Sequence, residues 1–367
     1  MGKSATRIGV DLEQSSVAGA QVSGSRQGRS LTRAAVRPIP PGVMLEGEVV
    51  DVDRLGAELK SFWQTSGFSG KRFSLGVANQ KVVVRTMDFP IMDENELRAA
   101  IEYQAQEAIP IPLADAVLDF DVLSTESGEN GSGTQKVLIV AAQRDMVKQF
   151  VDAARSAGLT IDNIDLQAFA LMRSVAPPVA FVDSGAPGNG EATAIVNISP
   201  DTTNLVVAVN GTPQFTRVVN TGCDALVQVL MSSRGISHDE ADILRLHVGL
   251  TGSEPTFGDL DPVTLAETHE VLDNACEAFA DEIRRSIDYY HSQGNQGRQV
   301  SQLLLSGEGA LTRNMCDYLW QALRLNVALG NPLQHISENK TDISQSDLED
   351  VAPRFAVALG LALDGEE

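Results

Sequence analysis

The stretch RIGVDLEQSSVAGAQV (7–22) returns in plan, 186 residues later, as TAIVNISPDTTNLVVAV (193–209). Each is an apolar strand, a polar turn rich in hydroxyls and a returning strand, and Asp11 and Asn197 hold matching places. Asn210-Gly211 then supplies the two-residue turn that favours a further hairpin. Either segment alone reads as an ordinary hairpin. Two such openings half a chain apart predict duplicated halves that face each other across a cleft.

The remaining pattern fills in both halves. DVDRLGAELKSFWQTSGF (51–68) spaces Leu55, Leu59, Phe62 and Trp63 along one helical face, with Asp51 or Asp53 to cap it and Gly67 to end it. A compact module follows over 84–161. It has a helix over 93–109 stopped by Pro110 and Pro112, strands over 116–123 and 136–143 around the polar loop STESGENGSGTQ, and a helix ending at Gly158. DNIDLQAFALMRSV (162–175) reads as a helix returning the chain to the first half. The second half offers one or two long helices over 261–294, then strand, Gly-rich turn and helix over 299–323, and the apolar helix APRFAVALGLAL at 352–363. Strands alternating with helices make the class α/β. We therefore expect a first domain over 1–192, carrying an inserted subdomain at about 84–161 and joined by the C-terminal helix 350–363. A second domain is expected over 193–349.

Charge narrows the partners. With 28 Lys and Arg against 49 Asp and Glu, the net charge of −21 argues against nucleic acid or an anionic membrane surface as the main partner. The N-terminal MGKSATRIGV lacks the apolar core of a signal peptide, and its likenesses to a myristoylation site and to a P-loop end lack the context either needs. The nine-residue run FAVALGLAL is about half of what a spanning helix requires, so no direct membrane insertion is expected. Cys223, Cys276 and Cys316 show no paired spacing and fit a reducing cytoplasm, and the five histidines are not at ligand spacing; no metal site is expected.

The turns at 11–17, 197–204 and 306–310 together resemble the two phosphate loops and the adenosine loop of the actin-like ATPase superfamily. VRTMDFPIMDENELRAAIEYQAQEAIPIPLADAVLDFDVL (84–123), VLIVAAQRDMVKQFVDAARSAGLTIDNIDLQAFALMR (137–173), DEIRRSIDYY (281–290) and FAVALGLAL narrow this to a resemblance to the PilM family of type IV pilus assembly proteins. The division protein FtsA is a more distant likeness. The resemblance implies an actin-like ATPase fold: two RNase H-like domains around a cleft, with an FtsA-like inserted subdomain. It implies nucleotide-binding positions at Asp11, Gln14, Ser15, Ser16, Asn197, Thr202, Thr203, Glu282, Arg285, Gly307, Gly309 and Ala310. Ser15, Ser16, Thr202 and Thr203 read equally well as turn residues bonding their own backbone.

The departures from the family pattern bear on chemistry. Glu13 stands where the first loop of relatives has glycine, and Asn197 and Ser199 replace an aspartate and a glycine in the second. Glu308 sits among the glycines of the third. A carboxylate about 5 Å from a phosphate charge costs roughly 3 kcal/mol at an effective dielectric near 20. Asn197 lacks the negative charge that would favour a hydrated Mg²⁺. ATP with Mg²⁺ is thus expected to bind weakly in a degenerate cleft, with weak or absent hydrolysis. The resemblance further implies a cytoplasmic scaffold at the inner face of the plasma membrane. There it would hold the N-terminal cytoplasmic tail of a PilN-like single-span inner-membrane protein and meet other pilus machine subunits. The tail groove is expected around Val84, Arg85 and Thr86 and the helix with Tyr103 and Glu107; Val84 and Tyr103 read equally as residues sealing the inserted module to its host. The alternatives are a working ATPase or kinase on this fold, and an FtsA-like filament protein.

Overall fold

The structure is a computed structural model that describes residues 6–25, 28–127, 133–176, 191–252, 255–256, 260–293 and 298–363. The MGKSA start, the centre of the polar loop (128–132) and the last four residues lie outside them.

The chain opens with β1 (Thr6–Leu12), β2 (Ser16–Ser25) and β3 (Gly28–Pro38), an antiparallel meander, then a small ladder of β4 (Met44–Leu45) and β5 (Glu48–Val49). Helix α1 (Val52–Ser66) starts where the Asp51 carboxylate accepts the Arg54 N–H, and it stops at Gly67 in the left-handed region, φ 68°. Next come β6 (Arg72–Val77), β7 (Val83–Pro90), and α2 (Glu94–Ala108), capped by Asp93 through the N–H groups of Asn95 and Glu96. β8 (Ala116–Ser127), β9 (Gly133–Gln143) and α3 (Arg144–Ser156) follow. The stretch 162–175 is not one helix. β10 (Thr160–Leu166) pairs parallel with β6, and only then does α4 (Gln167–Val175) begin. Leu166 is buried and Ile161 and Ile164 half-buried while Asp162 and Asn163 are exposed, which suits a strand at this edge, and Asp165 pairs with Arg173 of α4 to fix the corner.

The second half repeats the opening with β11 (Ala192–Ile198), β12 (Thr203–Val209) and β13 (Thr212–Val219). Helices α5 (Asp224–Arg234), α6 (His238–His247) and α7 (Pro262–Ser292) lead to β14 (Val300–Ser306), α8 (Met315–Leu323) and β15 (Asn326–Leu329). Where one or two helices were expected, Pro262–Ser292 is a single helix of 31 residues. The chain closes with β16 (Glu338–Asn339), α9 (Gln345–Val351) and α10 (Ala356–Ala362).

Two sheets share one plan. The first runs β10-β6-β1-β2-β3-β16 and the second β15-β14-β11-β12-β13, so each half sets an antiparallel meander beside two parallel strands. The outer face of the first sheet packs on α1 and α3, with Phe62, Phe73, Phe150 and Leu159 in its core. The outer face of the second packs on α5, α7 and α8 through Leu226, Phe279, Ile283 and Leu319. Between the sheets lie α4 and α10, whose apolar residues meet Ile195, Val206 and Leu304 of the second sheet. They approach closely because Gly360 has no side chain: a Cβ there would stand 1.8 Å from the Ala170 carbonyl oxygen. A third sheet, β7-β9-β8, carries α2 on one face, and the other face turns toward β10 and α4.

Candidate functional site

The first two turns are copies in geometry. In one, the Glu13 N–H donates to the Ser16 carbonyl at 2.9 Å; in the other, the Ser199 N–H donates to the Thr202 carbonyl at 2.9 Å. Parallel strands set beside both hairpins bring their tips to one seam: β1 pairs with β6 at Asp11 and Gly76, and β11 pairs with β14 at Asn197 and Ser306.

At that seam the two halves touch through side chains. Asn197 Nδ2 donates to Ser199 Oγ (2.8 Å), and the Ser199 hydroxyl donates to Glu13 Oε1 (2.8 Å). The Gln14 N–H donates to Asp201 Oδ1 at 3.2 Å. Gln167, at the start of α4, donates to Asp11 Oδ1 (2.7 Å) and accepts from Asn204 Nδ2 (2.5 Å), a bridge from β1 to β12. Burial away from water pushes the Asp11 carboxyl up to about 7, with the Asp201 charge adding to it and the Gln167 hydrogen bond opposing. Burial, then the charges of Asp11 and Asp201, hold Glu13 well above the usual carboxylate range. Burial raises Asp201 as well.

The third turn is tied down too. Gly307 N–H donates to the Pro353 carbonyl at 3.1 Å, and Gly309 and Ala310 are buried, Gly309 against Ile198 and Cys223. The Glu308 carboxylate meets Arg354 at 2.9 Å and Arg245 at 3.7 Å. Arg245, only 1% exposed, also pairs with Asp242 at 2.6 Å and donates to the Thr312 hydroxyl at 2.9 Å.

As arranged here, these residues do not fit the phosphates of a nucleotide. The space among Asp11, Glu13, Asn197, Ser199, Gly307 and Glu308 is about 20 Å³, room for roughly one water molecule. When ionised, the carboxyl groups of Asp11, Glu13 and Asp201 would meet a phosphate with like charge. Among the described residues, no group of three or more His, Cys, Asp or Glu is placed to hold a metal ion.

The other nucleotide positions sit apart from this knot. Thr203 donates to the Thr221 carbonyl (2.7 Å), while Glu282 and Arg285 pair with each other at 2.5 Å on α7. All three border a cavity of about 170 Å³ with Thr221 and Ser286. Ser15 and Ser16 are half-buried in the first turn, where the Ser15 carbonyl accepts the Ile39 N–H. Thr202 is buried, its hydroxyl without a hydrogen-bond partner. Sequence reasoning missed Gln167, Asp201, Arg245 and Arg354. Asp201 occupies the place in the second turn that Ser15 holds in the first, so the repeat could have flagged it. The other three come from helices and a C-terminal turn that carry no local motif.

A second candidate site is an apolar groove of about 630 Å³ between the third sheet and the first. Val117, Leu123, Leu138 and Val140 line one wall, Ile164, Phe169 and Met172 the other, and Gly211 and Pro213 of the second half close one end. Val84 and Thr86 pair with Val140 and Leu138, which puts them on the groove side of the third sheet. Val84 borders an adjoining cavity of about 220 Å³ rather than the groove itself. Arg85 pairs with Ile139 and so lies on the opposite face, which α2 covers. Tyr103, 75% exposed, and Glu107, also exposed, lie on α2 and so stand on that same far side.

No helix among the described residues is long and apolar enough to cross a membrane. A family model described as type IV pilus assembly protein PilM matches residues 9–366. Among solved structures, the chain is similar to the PilM-PilN type IV pilus biogenesis complex, with 24% identity over 98% of each chain and a TM-score of 0.81. It is similar also to the ethanolamine utilization protein EutJ from Carboxydothermus hydrogenoformans (15% identity, 98% of this chain and 90% of that one, TM-score 0.54). MreB 5 of Spiroplasma citri bound to AMPPNP is a third (12% identity, 97% and 96% covered, TM-score 0.51). These likenesses show an actin-like ATPase fold, and relatives on that fold bind nucleotide. With nearly its whole length matched, the chain belongs to the PilM family of type IV pilus assembly proteins.

Proposed function

We propose that this protein is a scaffold of a type IV pilus machine, which captures the cytoplasmic tail of a PilN-like single-span inner-membrane protein in the groove between the third and first sheets. The observation that carries the reading is the groove itself: about 630 Å³, walled mostly by apolar side chains from β8, β9, β10 and α4, with Asp119, Asp121 and Arg173 among them. A relative of the same fold occurs as a PilM-PilN complex. An extended tail would lay apolar side chains into such a trough and satisfy its backbone along β8, an edge strand of the third sheet. Recruitment through that tail would hold a chain of net charge −21 at the inner face of the membrane.

The nucleotide cleft is degenerate in this reading. Two buried carboxyl groups, a third half-buried one and a space of about 20 Å³ support weak ATP binding at most and little or no hydrolysis. The division of the chain follows the same reading with its boundaries moved: 1–192 and the segment from about 333 to 363, whose β16 pairs with β3, form one domain, 193 to about 332 forms the other, and the sheet β7-β9-β8 with α2 is the inserted module bearing the groove, α3 packing in the first core. A labelled peptide from the tail of the neighbouring single-span protein should bind the full chain in the micromolar range or tighter, roughly −8 kcal/mol, with or without Mg-ATP. Absence of binding in both conditions would overturn the scaffold reading.

A second reading, a nucleotide-dependent switch, is favoured by the cavity of about 170 Å³ beside Thr203, Glu282 and Arg285. Calorimetric titration with Mg-ATP separates the two: submicromolar affinity would favour the switch.

A further inference from the structure

Two carboxylates interrupt the apolar wall of the groove. Val117, Asp119 and Asp121 alternate along β8 and pair with Ala142, Val140 and Leu138 of β9, and all six border the groove. Residues two apart on a strand share a face, so Asp119 and Asp121 stand on the groove side about 7 Å apart. Both are exposed. We propose that the segment captured here is cationic as well as apolar, with Lys or Arg side chains set against Asp119 and Asp121; this rests on the reading of the groove as a tail site.

No cation of the protein answers these two carboxylates. Among the described residues that line the groove, the charged ones are Asp119, Asp121, Asp165 and Arg173. Arg173 pairs with Asp165 and donates through Nε to the Gly360 carbonyl at 3.0 Å. Arg144, at the start of α3, donates to the Ala116 carbonyl at 2.6 Å. Arg98 of α2 lies on the far face of the sheet, over the Phe120 ring at 5.0 Å. Neither Asp119 nor Asp121 forms an ion pair among the described residues, and Asp119 Oδ1 accepts the N–H of its neighbour Phe120 at 2.9 Å.

The sign of the occupant follows from desolvation. Aspartate is depleted in strands, and here two of them sit among Val117, Val140 and Leu138. A chain docking on that wall displaces water from both carboxylates. An uncharged occupant leaves that loss uncompensated, whereas a Lys or Arg replaces the water with charge-assisted hydrogen bonds. β8 is an edge strand, so an extended segment laid along it puts alternate side chains beside Asp119 and Asp121, where opposite charges stabilise strand pairing.

The source agrees with the sign. Segments that flank a membrane span on the cytoplasmic side are rich in Lys and Arg. A chain of net charge −21 also attracts such a segment during encounter. Apolar contact then supplies hold, and the two aspartates supply discrimination against neutral or acidic segments.

The test follows the anisotropy of the labelled tail peptide of the neighbouring single-span protein with the full chain. It is run at about 0.15 M salt, where distant charges are screened. A second peptide has every Lys and Arg replaced by Gln. Asp119→Asn with Asp121→Asn, exposed changes that keep an acceptor for the Phe120 N–H, should weaken the natural peptide about tenfold, as two cross-strand charge pairs would. The neutral peptide should bind the wild-type chain about tenfold more weakly than the natural one and be indifferent to the variant. Glu102→Gln with Glu107→Gln removes the same charge from exposed positions of α2 and should change binding by less than about twofold. An equal loss in that α2 variant would assign the effect to net charge and overturn the pairing. Unchanged binding of the natural peptide by the Asn variant overturns the pairing and leaves the groove reading intact. Tighter binding by that variant does the same, since the carboxylates would then serve to deter a strand from the edge. Failure of the natural peptide to bind any form overturns the groove reading and the pairing together.

Discussion

Glu13 and Ser199 hold the same place in the two repeated turns and hydrogen-bond each other across the seam at 2.8 Å. In a duplicated fold of this kind the equivalent turns face one another, and glycine at both places would leave a gap between them. A glutamate on one side and a hydroxyl on the other fill that gap with the protein's own atoms. The closed seam is a direct consequence of two side chains.

Reopening that gap should restore ligand affinity. In the double variant Glu13→Gly and Asn197→Asp, the reaching carboxylate is gone and a charge suited to a hydrated Mg²⁺ is regained. With the side chain that fills the space gone, Mg-ATP affinity measured by calorimetry should rise by at least about tenfold, roughly 1.4 kcal/mol. An unchanged affinity would place the obstruction elsewhere, with the tie of Glu308 to Arg245 and Arg354 the next residues to test.

The groove residues should separate from the far-side ones. Val140→Asp puts a charge on the wall of the groove and should weaken tail-peptide binding by at least tenfold, given the roughly 1.5–3 kcal/mol associated with burying an aliphatic side chain. Tyr103→Ala and Glu107→Ala, on the opposite face of the third sheet, should leave it within about twofold. Fluorescence anisotropy with a labelled peptide reads both. The reverse pattern would return the binding face to α2.

Excision of the third sheet should be tolerated by the rest. Val83 and Ala141 pair across β7 and β9, so the chain enters and leaves the sheet at adjacent points, and a turn of about two residues can join them. α3 must stay, because its Phe150, Ala153 and Ala154 belong to the first core beside α1. A chain with 84–140 replaced by such a turn should unfold cooperatively and bind no tail peptide. Full-strength binding would show that the groove assignment is wrong.

Arg245 should prove a structural requirement. Arg245→Ala strips Glu308 and Asp242 of a partner that is 1% exposed, and breaking a buried pair in this way costs roughly 3–5 kcal/mol in urea unfolding. Arg354→Ala, which leaves Glu308 its second partner, should cost less. Equal losses would mean that the tie to the C-terminal segment, rather than the buried ion pair, holds the third turn.

The sequence by itself determined the class, the duplication and the family, because each rests on local signals. Hydrophobic period, Asp51 and Asp93 as caps, Gly67 and Gly158 as stops and two matching hairpins are all contained within windows of a few residues. β10 was hidden because 162–175 mixes Ile164 and Leu166 with a true helical run from Gln167, and parallel pairing to β6, about ninety positions away, decides between strand and helix. The chemistry of the seam was decided only in three dimensions. Glu13 looked like an obstacle to phosphate, yet nothing nearby in sequence announced that Ser199 and Gln167 would meet it, with Asp201 close by. Hydrogen bonds and charge shifts depend on inverse distance and on burial, and both are properties of the packed interior, not of the order of residues along the chain.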